Sequence, residues 1–401
     1  MDGLGHALEA QGLVDLAALK TTIIFFETDP RCRELLEARR VKPGAYLSGT
    51  EDAHHVKGSV FALTDANFFN LRSLLATCTS LRILFIAGGS PCVGFSQANP
   101  GGRGIDDPNS NMVWTIPVIS TVARDSLPDS TAVIYLLENV DMKESRKPPL
   151  DSVMGNSGIK ICASTLLSCR RPREYWTNLV TAQPKPLLVS ADSVLDKGWR
   201  PLWELCSPTK PSDRFATFLR PFSPGKPREF PARYHRLPLS MYSEHGLVYR
   251  PSAPRHILEK IKDLVARCAR CNTQDLKELN GRSTKLRGEL CDWIHSEGGI
   301  EFLRPLNGRE RDRALGFPPD ASALPGEEQE LSLTWGRLEA SGNTFAVSVV
   351  AHIVSPLAEA ILKGGCPPLR PGFPSTRTAE EALRALGAAS HQPLPQTNRR
   401  H

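Results

Sequence analysis

The sequence predicts an α/β fold, and three observations carry that prediction. Short apolar, β-branched runs at Thr21–Thr28 (TTIIFFET), Leu81–Ala87 (LRILFIA) and Thr131–Leu137 (TAVIYLL) have the length of buried strands. Between them lie stretches that read as helix, such as Pro30 to about Arg40, with Pro30 near the first turn. With 401 residues, 40% hydrophobic and 23% charged, the chain is long enough for one large α/β domain and a smaller one.

The second of these strands organises the rest. It runs into Gly88-Gly89, and Ser90-Pro91-Cys92 then projects a thiol from the strand's carboxyl end, where open α/β sheets place their ligands. Pro91 fixes the backbone beside the sulfur, and Gly94 lets the loop pass close to a ligand. Taken alone, Cys92 reads first as a buried structural cysteine. The third strand, however, ends in Glu138-Asn139-Val140, which sets a carboxylate beside the thiol and suggests a nucleophile with an acid partner. In RRPREYWTNL, Arg171 and Arg173 lie two apart, so an extended backbone points both to one side. A cysteine, a glutamate and two arginines suit attack on an electron-poor ring held by its polar edge.

Elsewhere the pattern is plainer. PGGRGIDDPNSN is a mobile-looking loop in which Arg103 could meet a phosphate. Residues 112–124 read as a helix interrupted by Pro117, KESRKPPLDSVMGNSG as a polar connection and ICASTLL as a strand. From Leu179 to about Arg236 the chain is irregular, basic and proline-rich, with Lys and Arg among Phe and Tyr. SAPRHILEKIKDLVARC, within 253–297, has apolar residues at helical spacing. Cys268 and Cys271 form one CxxC, with Cys291 and His295 downstream; lacking a second pair, they read as reduced thiols before a zinc site. Ser341–Lys363 is an apolar helix, and 364–401, rich in proline, glycine and arginine, is expected to be disordered. The net charge of +6 fits a polyanionic partner. Ten scattered cysteines without a signal-peptide pattern point to reduced thiols in cytosol or nucleus, and no apolar run has membrane-spanning length.

Five segments, in order, resemble the DNA cytosine-5 methyltransferase family: GGSPCVGFSQANP, LLENV, RRPREYWTNL, GRERDRALGFP and SGNTFAVSVVAHIVSPL. The resemblance spans roughly residues 1–362. RPREYWTN and the final helix look most like the eukaryotic de novo class, whereas GFSQAN looks more like the maintenance and bacterial classes. It implies a Rossmann-like S-adenosylmethionine-dependent methyltransferase fold, a mixed sheet with helices on both faces plus a small irregular target-recognition region. The expected division is 1–178 catalytic core, 179–300 target recognition with the helical insertion, 301–363 return to the core, then the tail. MDGLGHALEAQGL resembles the end of the family's first motif, with Asp2, Gly3, Leu4 and Gly5 as the cofactor-facing turn. The preceding strand is expected to be missing, Met1 standing where the family has phenylalanine.

By the same resemblance, Glu27 would grip the ribose hydroxyls of S-adenosylmethionine. In KGSVFAL, Ser59 replaces the family's aspartate, and Ser59 with Val60 would meet the adenine. Asn343, Thr344 and Phe345 would reach back to the cofactor. GRERDRALGFP would support the recognition region. Cys92 would add to carbon 6 of a flipped-out cytosine, Glu138 would bond nitrogen 3 and the exocyclic amine, and one or both of Arg171 and Arg173 would hold the carbonyl oxygen. No metal is implied. Double-stranded DNA is the expected partner, a homo- or hetero-oligomer is compatible with it, and the nucleus is the expected location. A transfer-RNA cytosine-5 methyltransferase and a catalytically impaired regulatory or DNA-binding paralogue are the alternatives.

Overall fold

The computed structural model describes residues 81–92, 94–97, 101–107, 110, 113–187, 189–206, 214–215, 245–270, 289–290, 292–294, 299–324, 337, 340–342 and 344–370, with Glu34 and Leu75. The strand at 21–28, the helix at 30–40 beyond Glu34, most of the basic stretch 207–244, the side chains of the CxxC and residues 371–401 lie outside them. The described residues fall into two compact units, one holding residues up to 162 with 172–184 and 349 onward, the other 163–171 with 185–348.

The first unit is built on a four-stranded mixed sheet. Its strands are β1 (Ile83–Gly89), β2 (Ala132–Val140), β3 (Ile159–Cys162) and β4 (Pro172–Thr177), in the order β1-β2-β4-β3. β1 and β2 are parallel, and β4 runs antiparallel to both β2 and β3. The parallel pair requires a crossover, which α1 (Thr115–Ser126) supplies. Pro117 does not interrupt this helix as its sequence suggests. It falls in the first turn, where its missing N–H has no intrahelical acceptor to lose.

β2 is buried along almost its whole length, as expected of a strand with neighbours on both sides. Val133, Tyr135 and Leu137 alternate onto one face and share a core with Ile116, Ile119 and Val122 of α1. Leu150, Val153 and Met154 of α2 (Lys147–Met154) complete that core. Asn178 extends the sheet past the end of β4 with its side chain, accepting from Tyr135 N at 3.0 Å and donating to Val133 O at 2.9 Å. β3 is shorter than ICASTLL suggests. After Cys162 the chain turns into a 3-10 helix at Ala163–Thr165, where the Ala163 carbonyl accepts from Leu166 N and Leu167 N.

The second unit carries an antiparallel sheet, β5 (Arg200–Pro201), β6 (Leu247–Tyr249) and β7 (Leu303–Pro305), with helices α3 (Leu202–Cys206), α4 (Arg255–Arg270) and α5 (Gly308–Ala314). α5 starts on a capping box in which Asn307 accepts from Glu310 N and Glu310 accepts from Asn307 N. Glu310 also holds Arg304 through two bonds of 2.7 and 2.9 Å. Arg313 donates to Val194 O and Asp196, so the helix clamps the 192–196 segment. Burial pulls Arg311 down to about 9, opposed by Asp312 beside it.

The last helix, α6 (Val347–Leu362), is shorter than the predicted 341–363. Ser341 and Gly342 are helical, but Thr344, Phe345 and Ala346 are not. The Arg171 guanidinium donates to the carbonyls of Gly342 and Thr344, the oxygens that a continuous helix would offer to residues 346 and 348. Among the described residues no helix is long and apolar enough to cross a membrane.

Candidate active site

The loop after β1 is a tight turn built on Cys92, whose carbonyl accepts from both Phe95 N (3.0 Å) and Ser96 N (2.8 Å). Phe95 anchors the turn as a fully buried core residue, while Cys92 is half-buried with a free thiol. Gly94 has no alternative here. A Cβ at that position would lie 2.2 Å from Ser110 Oγ, 2.5 Å from Asp107 Cβ and 2.8 Å from Gly104 O. Its carbonyl accepts from Gly104 N at 2.9 Å, which ties the glycine-rich loop to the Cys92 turn. Arg103 is exposed on that loop.

Glu138 lies within β2, registered against Gly89 of β1 and Tyr175 of β4. Cys92 is three residues beyond Gly89, no more than about 11 Å of extended chain away. Arg173, registered against Val140, is the diagonal neighbour of Glu138 on the same face of the antiparallel pair. Its Nε is 2.7 Å from Glu138 Oε1, and both side chains are largely buried. That oxygen receives no aligned hydrogen bond among the described residues, so the contact is one of charge and leaves acceptor capacity on the carboxylate. Two further links lace the loops together: Asn139 Nδ2 donates to Ser90 Oγ at 2.7 Å, and Ser96 bridges to Met142. The thiol-bearing turn and the Glu138–Arg173 pair thus share the carboxyl end of two adjacent parallel strands.

Arg171 is placed differently from Arg173. β4 begins only at Pro172, and Arg171 belongs to the second unit, buried against the carbonyls of Gly342 and Thr344. Thr344 is itself buried, its Oγ1 has no hydrogen-bond partner among the described residues, and Phe345 beside it is half-buried. Asp2, Gly3, Leu4, Gly5, Glu27, Ser59, Val60 and Asn343 lie outside the described residues.

Neither Asn139 nor the pair of Lys147 with buried Glu174 stands out in the sequence pattern. Lys147 Nζ is 3.1 Å from Glu174 Oε2, and Glu174 is 1% exposed. Burial holds the Glu174 carboxyl above its usual range, with Lys147 acting against that shift. Position in β4 could have flagged it, since Glu174 alternates with Arg173 and so faces away from Glu138.

The chain matches no protein-family profile and no curated protein. Among solved structures it is similar to the crystal structure of the S. pombe Dnmt2 methyltransferase, at 14% identity over 90% of this chain and 95% of that chain, with a TM-score of 0.45.

Proposed function

We propose that this chain is a cytosine-5 methyltransferase that acts on double-stranded DNA with S-adenosylmethionine. The observation that carries the reading is the buried Arg173–Glu138 pair at the carboxyl end of β2, beside the turn that presents Cys92 at the end of β1. The order of the five sequence segments supports it. The orphaned Oγ1 of buried Thr344 fits a bound polar group, so Thr344 and Phe345 are the described residues assigned to the cofactor. When bound, S-adenosylmethionine supplies the methyl group for carbon 5 of cytosine.

Carbon 5 is a poor nucleophile in the intact aromatic ring. The Cys92 thiolate adds to carbon 6, forming a carbon–sulfur bond and moving the ring electrons toward carbon 5 and nitrogen 3. Glu138 holds nitrogen 3 through a shared proton and accepts from the exocyclic amine, which stabilises the charge that arrives there. Arg173 orients Glu138 and reaches the ring carbonyl oxygen with its remaining donors. Once carbon 5 carries the methyl group, its proton passes to solvent, the carbon–sulfur bond breaks to release the Cys92 thiolate, and the aromatic ring is restored. A cytosine stacked in a duplex exposes neither face to this attack, so it must be flipped out. A nuclear location belongs to the same proposal.

The test is covalent trapping on a duplex containing 5-fluorocytosine. Wild type is expected to form a stable adduct, and Cys92→Ala to form none while still binding DNA. An adduct formed by Cys92→Ala would overturn the assignment. Labelled methyl groups entering transfer RNA but not DNA would overturn the substrate.

A further inference from the structure

We propose that Arg146 is a positioning residue that latches the Cys92 turn through its backbone; this role rests on the reading of Cys92 as the nucleophile. Arg146 Nη1 donates to Phe95 O (3.3 Å) and to Ser96 O (3.1 Å). The amides of those same two residues are the donors that hold the Cys92 carbonyl. Phe95 and Ser96 are therefore gripped from both sides, by Cys92 on their N–H groups and by a guanidinium on their carbonyls. Charge-assisted bonds of this kind are stronger than those between neutral partners.

The surrounding sequence is shaped around that side chain. A Cβ at Gly102 would lie 3.2 Å from Arg146 Nη1, and one at Gly104 would lie 3.7 Å from Arg146 Cγ. The glycine-rich loop thus runs along the arginine stem, and its own Gly104 N binds Gly94 O inside the Cys92 turn. Arg146 is in turn held by a stiff backbone. Its N–H closes a 3-10 turn onto Lys143 O, it directly precedes the first residue of α2, and Pro148 and Pro149 follow in the helix's first turn. A planar group with several fixed donors can serve two carbonyls together, which a lysine ammonium on a flexible stem does less well. The latch fixes where the turn sits relative to β2, and with it the distance from the sulfur to the groups that hold the ring.

The test uses the full chain and three variants: Arg146→Met, which keeps the apolar stem and removes the donors, Arg146→Lys, and Cys92→Ala. Amide hydrogen exchange at Phe95 and Ser96 is expected to quicken by about tenfold or more in Arg146→Met, with β2 amides unchanged. Single-turnover methyl transfer at saturating DNA and cofactor is expected to fall by about 10- to 100-fold, the scale set by a misplacement of about 1 Å, while the KM for DNA stays within about threefold. Arg146→Lys should fall between the two in both measurements. Should Arg146→Met not fold, Arg146→Lys carries the test, and equality with wild type in both measurements overturns the latch. Unchanged exchange at Phe95 and Ser96, or faster exchange with an unchanged single-turnover rate, also overturns it. Transfer lost in Cys92→Ala but intact in Arg146→Met overturns the latch alone. Transfer that persists in Cys92→Ala overturns the reading of Cys92 and, with it, the role given to the latch.

Discussion

Replacing Lys147 with methionine should destabilise the first unit strongly and make its stability depend more on pH. Glu174 sits on β4 with 1% of its side chain exposed, and Lys147 Nζ at 3.1 Å compensates its charge more strongly than Lys160, the other lysine that acts on it. Removing one partner of a buried ion pair leaves an unpaired charge, at a cost of about 3–5 kcal/mol. For a unit of about 150–250 residues each kcal/mol moves Tm by about 2–4 °C, so a fall of about 6–20 °C is expected. The sign of the pH dependence follows from the carboxyl. Burial already raises its value in the folded state, and loss of Lys147 removes an influence that lowers it. Between the ordinary glutamate value and the raised folded one, the folded state keeps a proton that the unfolded state has released. Stability of Lys147→Met therefore falls as pH rises through that window, by up to about 1.4 kcal/mol per pH unit. Urea unfolding of both proteins from pH 4.5 to 8, followed by far-UV circular dichroism, measures this directly. A second substitution, Glu174→Gln, should recover most of the loss at pH 8. A loss below about 1 kcal/mol, or one that is the same at every pH, would refute the reasoning.

Two further outcomes follow from the same sheet. Glu138→Gln keeps the size of the side chain but removes its proton chemistry, so single-turnover transfer should fall by about two to four powers of ten while DNA affinity changes little; a filter-binding titration beside a rapid-quench assay separates the two. Gly158→Ala places a methyl 2.6 Å from Trp176 Cε2 and 2.9 Å from its Nε1, the atom that donates to Asp151. Overpacking against a fully buried ring should cost about 1–3 kcal/mol, readable as a lower urea midpoint with an unchanged m-value.

The strands that build the candidate site were legible because their burial is written into composition. A run such as TAVIYLL is apolar without interruption, and only a strand covered on both faces needs that, so β2 and its polar end at Glu138 follow from the residues alone. The start of α5 was equally open to reading, since Asn307 and Glu310 stand at the spacing of a capping box. The division of labour between Arg171 and Arg173 was not. Two arginines separated by one residue look alike in any local pattern, and their fates differ because β4 begins between them. Arg173 lies in β4 and meets Glu138 across the ladder; Arg171 lies before it and captures two carbonyls near residue 344. The two captured carbonyls lie where the run that reads as one helix from Ser341 to Lys363 is interrupted before Val347, and their partner is about 170 positions away in sequence. Composition and spacing determine which segments must leave water and which caps can start a helix, because those energies are local. Partners for a buried charge come from anywhere in the chain, so only the folded arrangement decided that Lys147 serves Glu174, Arg173 serves Glu138 and Arg146 holds the turn at Cys92.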